Sequence, residues 1–232
     1  MGGIIAIGGG FPGEDNYMLA NHIIGLTGKE NPNFLQIPTT SFDNRDAGTM
    51  SCFFNNGCNV DLLQLTGTDI SEDKIAEKIR RADIIHVPGG NLRYVMTVWE
   101  KTHTDKYLKE AFAQGKLLFG TSSGAMCWFE EGYDDCGKNG EMMFVKCLGL
   151  HPYCCAPHYD SDFWHSFTED IKTRSVSGLA LENDAAICFI DDERYILTSK
   201  KRTDARCFLL DKDRNFERID LTADTEELKK LI

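Results

Sequence analysis

The segment with the clearest chemical character is residues 120–125, Gly-Thr-Ser-Ser-Gly-Ala, which directly follows three apolar residues. The pattern Gly-x-Ser-x-Gly between an apolar strand and a helix is typical of a sharp turn that presents one serine hydroxyl to a site. Gly120 and Gly124 flank Ser122 in this pattern, so Ser122 is the candidate nucleophile. N–H groups at the start of the following helix have no partner within the helix and can stabilise an oxyanion. The same spacing also occurs in turns without chemistry, so the assignment depends on the rest of the chain.

A serine hydroxyl needs a base, and the candidate is His158. It follows Pro157, whose fixed geometry favours an extended turn, and a loop residue downstream of the nucleophile can reach across the edge of a sheet. Other histidines lie in a predicted helix, a strand, a polar loop or a helix-like segment, and structural or solvent-exposed roles are expected for them: His22, His86, His103 and His165.

The elements that must position these residues alternate between strands and helices. Short apolar runs end at turn-forming residues, and helical stripes of apolar residues separate them, which predicts a parallel sheet with helices on both faces and sites at the carboxyl ends of its strands. The predicted strands of this part are residues 3–7, 34–38, 60–65, 84–87 and 117–119. Three short runs further on, 185–190, 194–198 and 205–210, predict a C-terminal antiparallel extension. We expect one α/β domain over residues 1–232.

Composition limits the partners and the compartment. The net charge of −11 and the pI near 5.0 argue against nucleic acid or an anionic membrane surface as a partner, because both would repel an acidic protein. No N-terminal signal pattern is visible and no apolar run approaches the roughly 18 residues of a membrane helix. We therefore expect a cytoplasmic protein that acts on small molecules. Whether copies of the chain form a homo-oligomer stays open.

Nine cysteines, an odd number without any Cys-x-x-Cys pair, predict free thiols in a reducing compartment. Cys154 and Cys155, between His151 and His158, come nearest to the spacing of a zinc site, but paired short spacings are missing. The sequence predicts no metal and no cofactor.

A rival interpretation rests on Gly8, Gly10 and Gly13, which spell Gly-x-Gly-x-x-Gly after the first strand, the pattern of a dinucleotide-binding turn. Pro12 interrupts the expected helix start, and the second strand ends without the acidic residue that would hold a ribose hydroxyl. A nucleotide-binding protein stays an alternative, as does a non-catalytic module in which Ser122 has no chemical role.

Four motifs in order along most of the chain resemble the peptidase E family, the aspartyl dipeptidases that include cyanophycinase. They are the first strand with its glycine triplet, Pro88-Gly89-Gly90-Asn91, the Gly-Thr-Ser-Ser-Gly-Ala turn, and Pro157-His158-Tyr159. The resemblance implies a three-layer sandwich around a parallel sheet, as in class I glutamine amidotransferases. It also implies a serine peptidase that hydrolyses short peptides, aspartyl dipeptides among them, through an acyl-enzyme.

The resemblance assigns roles to individual residues. Ser122 is then the nucleophile and His158 its general base, while the N–H groups of Gly90 and Ser123 form the oxyanion hole and Gly89 allows close approach of the chain. These roles agree with the chemistry that each residue type offers.

The third member of the triad is where this chain departs from the family, which usually supplies a glutamate from the segment matching residues 177–186. Counting back from the following strand puts Asn183 in that position, whereas a slip of one residue gives Glu182. An asparagine oxygen can orient imidazole but stabilises imidazolium less than a carboxylate does. Asp134 and Asp135 are the other candidate pair. Recognition of an aspartyl side chain needs an arginine, but the helix-like stretch from Asp162 to Lys172 contains none and the next one is Arg174, so the specificity stays open.

Overall fold

The computed structural model describes residues 2–11, 13–67 and 69–231. In chain order the strands are β1 (Gly3–Ile7), β2 (Asn33–Gln36), β3 (Asn59–Leu62), β4 (Ile84–Val87), β5 (Leu117–Thr121), β6 (Phe129–Asp134), β7 (Met143–Lys146), β8 (His151–Ala156), β9 (Ser177–Leu181), β10 (Ala185–Ile190), β11 (Glu193–Thr198), β12 (Cys207–Asp211) and β13 (Glu217–Asp220). The helices are α1 (Glu14–Leu26), α2 (Ala47–Asn55), α3 (Glu72–Arg81), α4 (Leu92–Lys101), α5 (Thr104–Ala113), α6 (Ser123–Met126), α7 (Phe167–Asp170) and α8 (Thr225–Lys229).

The strands form two sheets. The larger sheet has the order β11-β10-β1-β5-β4-β2-β3. Its strands β1, β5, β4, β2 and β3 run parallel, while β10 is antiparallel to both of its neighbours, β1 and β11. The smaller has the order β13-β12-β9-β8-β6-β7. Its three central strands β9, β8 and β6 are parallel, while β12, β13 and β7 are antiparallel to their neighbours.

The main sheet is buried on both faces, as expected for parallel strands covered by helices. Along β1, Ile5 and Ile7 contribute to a core with α1 and α2. Ile4 and Ala6 point to the other face, whose core includes residues of α3, α4, α5 and the second sheet. The molecule is therefore a three-layer α/β sandwich, as the sequence predicts.

The predicted C-terminal antiparallel strands divide between the two sheets. The runs 185–190 and 194–198 become β10 and β11, which extend the main sheet beside β1. The run 205–210 corresponds to β12, which pairs with β9 in the second sheet. The sequence does not predict the strands β6 to β9 or β13, because polar residues and turns interrupt their short apolar runs.

The register of the main sheet brings three turns together at its carboxyl edge. Ile7 at the end of β1 is opposite Thr121 of β5, and Val87 at the end of β4 is opposite Gly120. The turns that follow these strands therefore start side by side, which is where a parallel sheet places its sites. No helix in the described part of the chain is both long enough and apolar enough to cross a membrane.

Gly120→Ala tests how tightly this edge is packed. A Cβ at residue 120 would overlap the carbonyl oxygen of Gly124, so we expect the free energy of unfolding to fall by about 1 to 3 kcal/mol in urea titrations. Gly25→Ala is the matched control, because it lies in α1 with nothing within 4 Å of the added carbon. It should stabilise the protein by up to about 1 kcal/mol through helix propensity. Equal effects of the two variants would contradict the packing argument.

Candidate active site

Ser122 lies at the turn from β5 into α6 in a conformation that side-chain-bearing residues rarely adopt, with φ 56° and ψ −123°. Its N–H donates to the carbonyl of Ile7 at 3.0 Å. Gly124 faces the carbonyl of Val87 so closely that a Cβ there would overlap it. Strain of this kind persists only where the surroundings enforce it, and here three neighbouring strand ends do so. The turn has the geometry expected of a nucleophile elbow.

The imidazole of His158 joins two other side chains. Its Nε2 lies 2.8 Å from Ser122 Oγ, and its Nδ1 lies 2.7 Å from Asn183 Oδ1. His158 follows β8, and its ring packs beside Trp164 with ring centroids 5.5 Å apart. The structure thus brings Ser122, His158 and Asn183 into one hydrogen-bonded line.

The amide of Asn183 is oriented by Asp160. Both the backbone N–H and the side-chain Nδ2 of Asn183 donate to Asp160 Oδ1, at 2.8 and 2.9 Å. Since the amide nitrogen faces a carboxylate, the amide oxygen faces His158 and accepts from its Nδ1–H. Nε2 is then unprotonated and accepts the hydroxyl of Ser122, as a general base requires.

Asp160 also forms an ion pair with Arg202. Burial would raise the pKa of Asp160, but hydrogen bonds from the Asn183 N–H, the Arg202 guanidinium and the Asn183 amide outweigh it and lower the pKa below its usual range. A stable negative charge therefore lies directly behind the asparagine.

Glu182 does not contact His158. Its Oε2 accepts from the Arg206 N–H at 3.1 Å and lies 3.4 Å from the guanidinium of Arg202. Burial raises the pKa of Glu182, and the nearby charge of Asp160 raises it further. Of the two residues that the sequence left open, Asn183 is the one that reaches the histidine.

The glycines after β1 make room for this asparagine. Gly9 pairs with Asn183 as an isolated bridge, and a Cβ at residue 9 would overlap the Asn183 Oδ1 atom. A Cβ at Gly8 would overlap the carbonyl of Glu182. Packing against the β9–β10 connection thus accounts for these glycines. Gly13 precedes α1 with φ 57°, and Pro12 lies outside the described residues.

Gly89, Gly90 and Ser123, the residues expected to form the oxyanion hole, lie near Ser122. A Cβ at Gly89 would stand 3.2 Å from the Ser122 Cβ, and a Cβ at Gly90, where φ is 150°, would overlap the carbonyl of Thr40. Ser123 is the first residue of α6, where N–H groups lack helical partners. Its hydroxyl donates to the Gly90 carbonyl at 2.8 Å and so ties the two segments together.

Asp134, another candidate from the sequence, lies at the start of α4 and near Ser123 rather than at His158. Its Oδ2 accepts the N–H of Leu92 at 2.9 Å and is 3.5 Å from the Ser123 hydroxyl. Burial raises the pKa of Asp134 to about 6. Asp135 is exposed.

His22, His86 and His151 have structural surroundings, whereas His103 and His165 are exposed. His22 contacts the Tyr195 hydroxyl at 2.8 Å, and burial lowers the pKa of His86 to about 4. His151 stacks near Phe189 with ring centroids 4.4 Å apart. Within residues 2–11, 13–67 and 69–231, no three His, Cys, Asp or Glu side chains are grouped so as to hold a metal ion.

The family model of "Peptidase family S51" matches residues 4–197. The chain belongs to peptidase family S51. An uncharacterized peptidase of Bacillus subtilis, YgaJ, is 32% identical over 205 residues, which cover 85% of this chain and 87% of the relative. An uncharacterized peptidase of Listeria innocua is 30% identical over 151 residues, covering 62% of this chain and 72% of the relative. Family S51 membership makes the protein a peptidase and favours that interpretation over nucleotide binding.

Solved structures share the fold of this S51 chain. A peptidase from an acI-B1 actinobacterium superposes with a TM-score of 0.73 at 17% identity, covering 96% of this chain and 95% of the other. A putative peptidase E protein of Listeria monocytogenes superposes with a TM-score of 0.63 at 19% identity, covering 85% of this chain and 98% of the other. The three-layer architecture is therefore one that named peptidases adopt.

The sequence analysis did not identify Asp160, which contacts Asn183 in this S51 site, or Arg202, which pairs with Asp160. Asp160 stands two residues after His158, so its position in the Pro-His-Tyr-Asp segment was a usable signal. Nothing in the sequence marks Arg202, which arrives from the loop after β11. Arg174, considered for an aspartyl substrate, instead pairs with Glu131 and packs on the Phe144 ring.

Asp134→Asn tests the buried carboxyl through pH. The pKa of Asp134 is raised from 3.8 to about 6, so the folded chain holds this proton more tightly than the unfolded one. The free energy of unfolding should therefore fall between about pH 4 and pH 6, on the order of 3 kcal/mol from this group, and stay lowered above pH 6. In the variant, urea titrations should show that this loss is absent. Asp73→Asn, an exposed site in the first turn of α3, is the control. A variant with the same pH dependence as the parent protein would contradict the assignment.

Proposed function

We propose that the protein is a serine peptidase that hydrolyses short peptides, dipeptides included, through an acyl-enzyme formed on Ser122. The observation that carries this proposal is the continuous line of hydrogen bonds from Ser122 Oγ to His158 and on to Asn183, at 2.8 and 2.7 Å. A serine at a strained strand-to-helix turn, with an imidazole acceptor on its hydroxyl, is the arrangement that nucleophilic catalysis needs. Membership of family S51 supports the same reaction class.

The proposed reaction has two halves. His158 Nε2 accepts the hydroxyl proton as Ser122 Oγ attacks the peptide carbonyl, and the N–H groups of Gly90 and Ser123 stabilise the oxyanion. The imidazolium then gives its proton to the leaving amine as the peptide C–N bond breaks. In the second half His158 takes a proton from water, whose oxygen attacks the ester, and Ser122 recovers its proton as the acid is released.

Asn183 holds the imidazole in the reactive tautomer without placing a charge against it. The nearest negative charge in the line is Asp160, which touches the amide nitrogen of Asn183 and is shared with Arg202. The imidazolium that forms during the reaction is thus stabilised by a polarised amide rather than by direct contact with a carboxylate. We propose that the asparagine supplies orientation and that the charge behind it fixes the asparagine.

Ser122→Ala should lower kcat on the best dipeptide by at least about a thousandfold while thermal unfolding is preserved, since a single hydroxyl is removed from the turn. Ser123→Ala should cost about tenfold, because the bond that ties Ser123 to the Gly90 carbonyl is lost. The exposed Ser175→Ala is the control and should match the parent protein. Retention of most activity in Ser122→Ala would refute the assigned nucleophile, and a parent protein inactive on a full dipeptide library would favour a non-catalytic module.

The third residue is tested by alanine at two adjacent positions. Asn183→Ala should lower kcat by about ten- to a hundredfold, because the imidazole loses the partner of its Nδ1–H, whereas Glu182→Ala should leave kcat nearly unchanged. Asn183→Asp should also lower kcat, since two carboxylates would then face each other across the contact with Asp160. Adding Asp160→Asn to that variant restores a donor–acceptor pair, so the double variant should recover activity. A larger loss in Glu182→Ala than in Asn183→Ala would reverse the assignment.

A further inference from the structure

A cleft of about 260 Å³ opens beside Ser122 on the face of the main sheet that α1 and α2 cover. Gly89 and Thr121 form the wall next to the nucleophile, and Leu19 and Phe119 belong to its apolar floor. Asp46, at the start of α2, lines the same cleft. The proposed mechanism does not use this space.

The position of the cleft, beside Ser122 and away from His158, places it on the acyl side of the scissile bond. A Cβ at Gly89 would stand 3.6 Å from Ser122 Oγ, so this wall of the cleft lies next to the nucleophile. His158 follows β8 of the second sheet, which packs on the opposite face of the main sheet. Because the imidazolium must reach the leaving amine, the leaving group lies toward His158. The residue that supplies the acyl group then extends toward the cleft.

Asp46 is the one charged side chain among the described residues that line this cleft. Its carboxylate accepts from the Thr49 N–H at 3.1 Å and the Thr49 hydroxyl at 2.6 Å, which leaves further acceptor capacity on both oxygens. Residue 48 is a glycine, so no side chain covers the carboxylate from there; a Cβ at this position would stand 3.4 Å from Asp46 Oδ1. The buried Gln36 side chain binds the backbone of Asp46 on both sides, at 2.8 and 3.2 Å. The carboxylate is therefore held rigidly.

We propose that this cleft binds a cationic nitrogen of the acyl-side residue of the substrate, with Asp46 as its counter-ion. The inference rests on the proposed function, because it takes Ser122 as the attacking atom. An apolar floor under a carboxylate suits a lysine or arginine side chain, whose methylene stem packs on apolar surface while its charged end meets the carboxylate. A free α-ammonium group offers the same charge. An aspartyl side chain would meet Asp46 without a cation from the described lining residues.

The first experiment compares fluorogenic aminomethylcoumarin amides of lysine, norleucine and glutamate, with Nα-acetyl-lysine as a fourth substrate. We expect kcat/KM to be at least about tenfold higher for lysine than for norleucine, and lowest for glutamate. Loss of activity on acetylation, with lysine and norleucine equal, would assign the α-ammonium as the bound cation. A preference for glutamate, or equal rates on all four substrates, would overturn the proposal.

The second experiment changes only the charge of the counter-ion. Asp46→Asn keeps a good helix-capping residue and should lower kcat/KM for the preferred cationic substrate by about ten- to a hundredfold, with little change for the uncharged one. Asp224→Asn is the matched control, because Asp224 caps α8 in the same way and does not line the cleft. Equal losses on charged and uncharged substrates in Asp46→Asn would contradict a counter-ion role.

Binding separates this proposal from catalysis. Lysine amide and norleucine amide are titrated calorimetrically into Ser122→Ala, in which turnover is not needed. Tighter binding of lysine amide by about tenfold, lost when Asp46→Asn is added, supports the cleft even if the parent protein hydrolyses nothing. A role of the α-ammonium group is tested by comparing the affinity of norleucine amide with that of its Nα-acetyl form. The proposal would be overturned if lysine amide bound no tighter than norleucine amide and Nα-acetylation of norleucine amide did not weaken its binding. If the parent protein hydrolyses peptides without either preference, the proposed function stands and only the proposal for the cleft is refuted.

Discussion

The close contact of backbones around Ser122 is the constraint on which the site depends. Gly120 and Gly124 each lie so close to a neighbouring carbonyl that no side chain fits, and a Cβ at Gly89 would stand only 3.2 Å from the Ser122 Cβ. This contact forces the serine into its strained conformation and presents its hydroxyl at the carboxyl edge of the sheet. The same packing shapes the cleft, because Gly89 and Thr121 line it.

The asparagine in this S51 site changes where charge is held rather than whether it is present. Asn183 meets His158 through a neutral amide, and the charge lies one contact further on, at Asp160 and Arg202. The arrangement separates two tasks that one carboxylate performs in a serine–histidine–carboxylate triad, namely orienting the imidazole and stabilising its positive form. Gly9 is part of this arrangement, because a side chain at residue 9 would displace Asn183.

Much of this arrangement was predictable from local patterns. The glycine–serine turn, the proline-fixed histidine and the apolar runs each encode their own geometry, so Ser122, His158 and the parallel sheet could be proposed from residues alone. The choice between Glu182 and Asn183 could not, because adjacent residues in a connection differ only in the direction of their side chains. Nor could the second sheet, whose strands gain their order from long-range pairing, or Arg202, which reaches the site from a loop 42 residues after Asp160 in sequence.

The most direct measurement is the site of covalent capture. The intact protein is treated with a fluorophosphonate, and the modified peptide is identified by mass spectrometry after digestion. We expect one adduct per chain, on Ser122, and a much slower reaction in His158→Ala, because the imidazole must accept the hydroxyl proton. An adduct on another residue, or a reaction rate that does not depend on His158, would contradict the account.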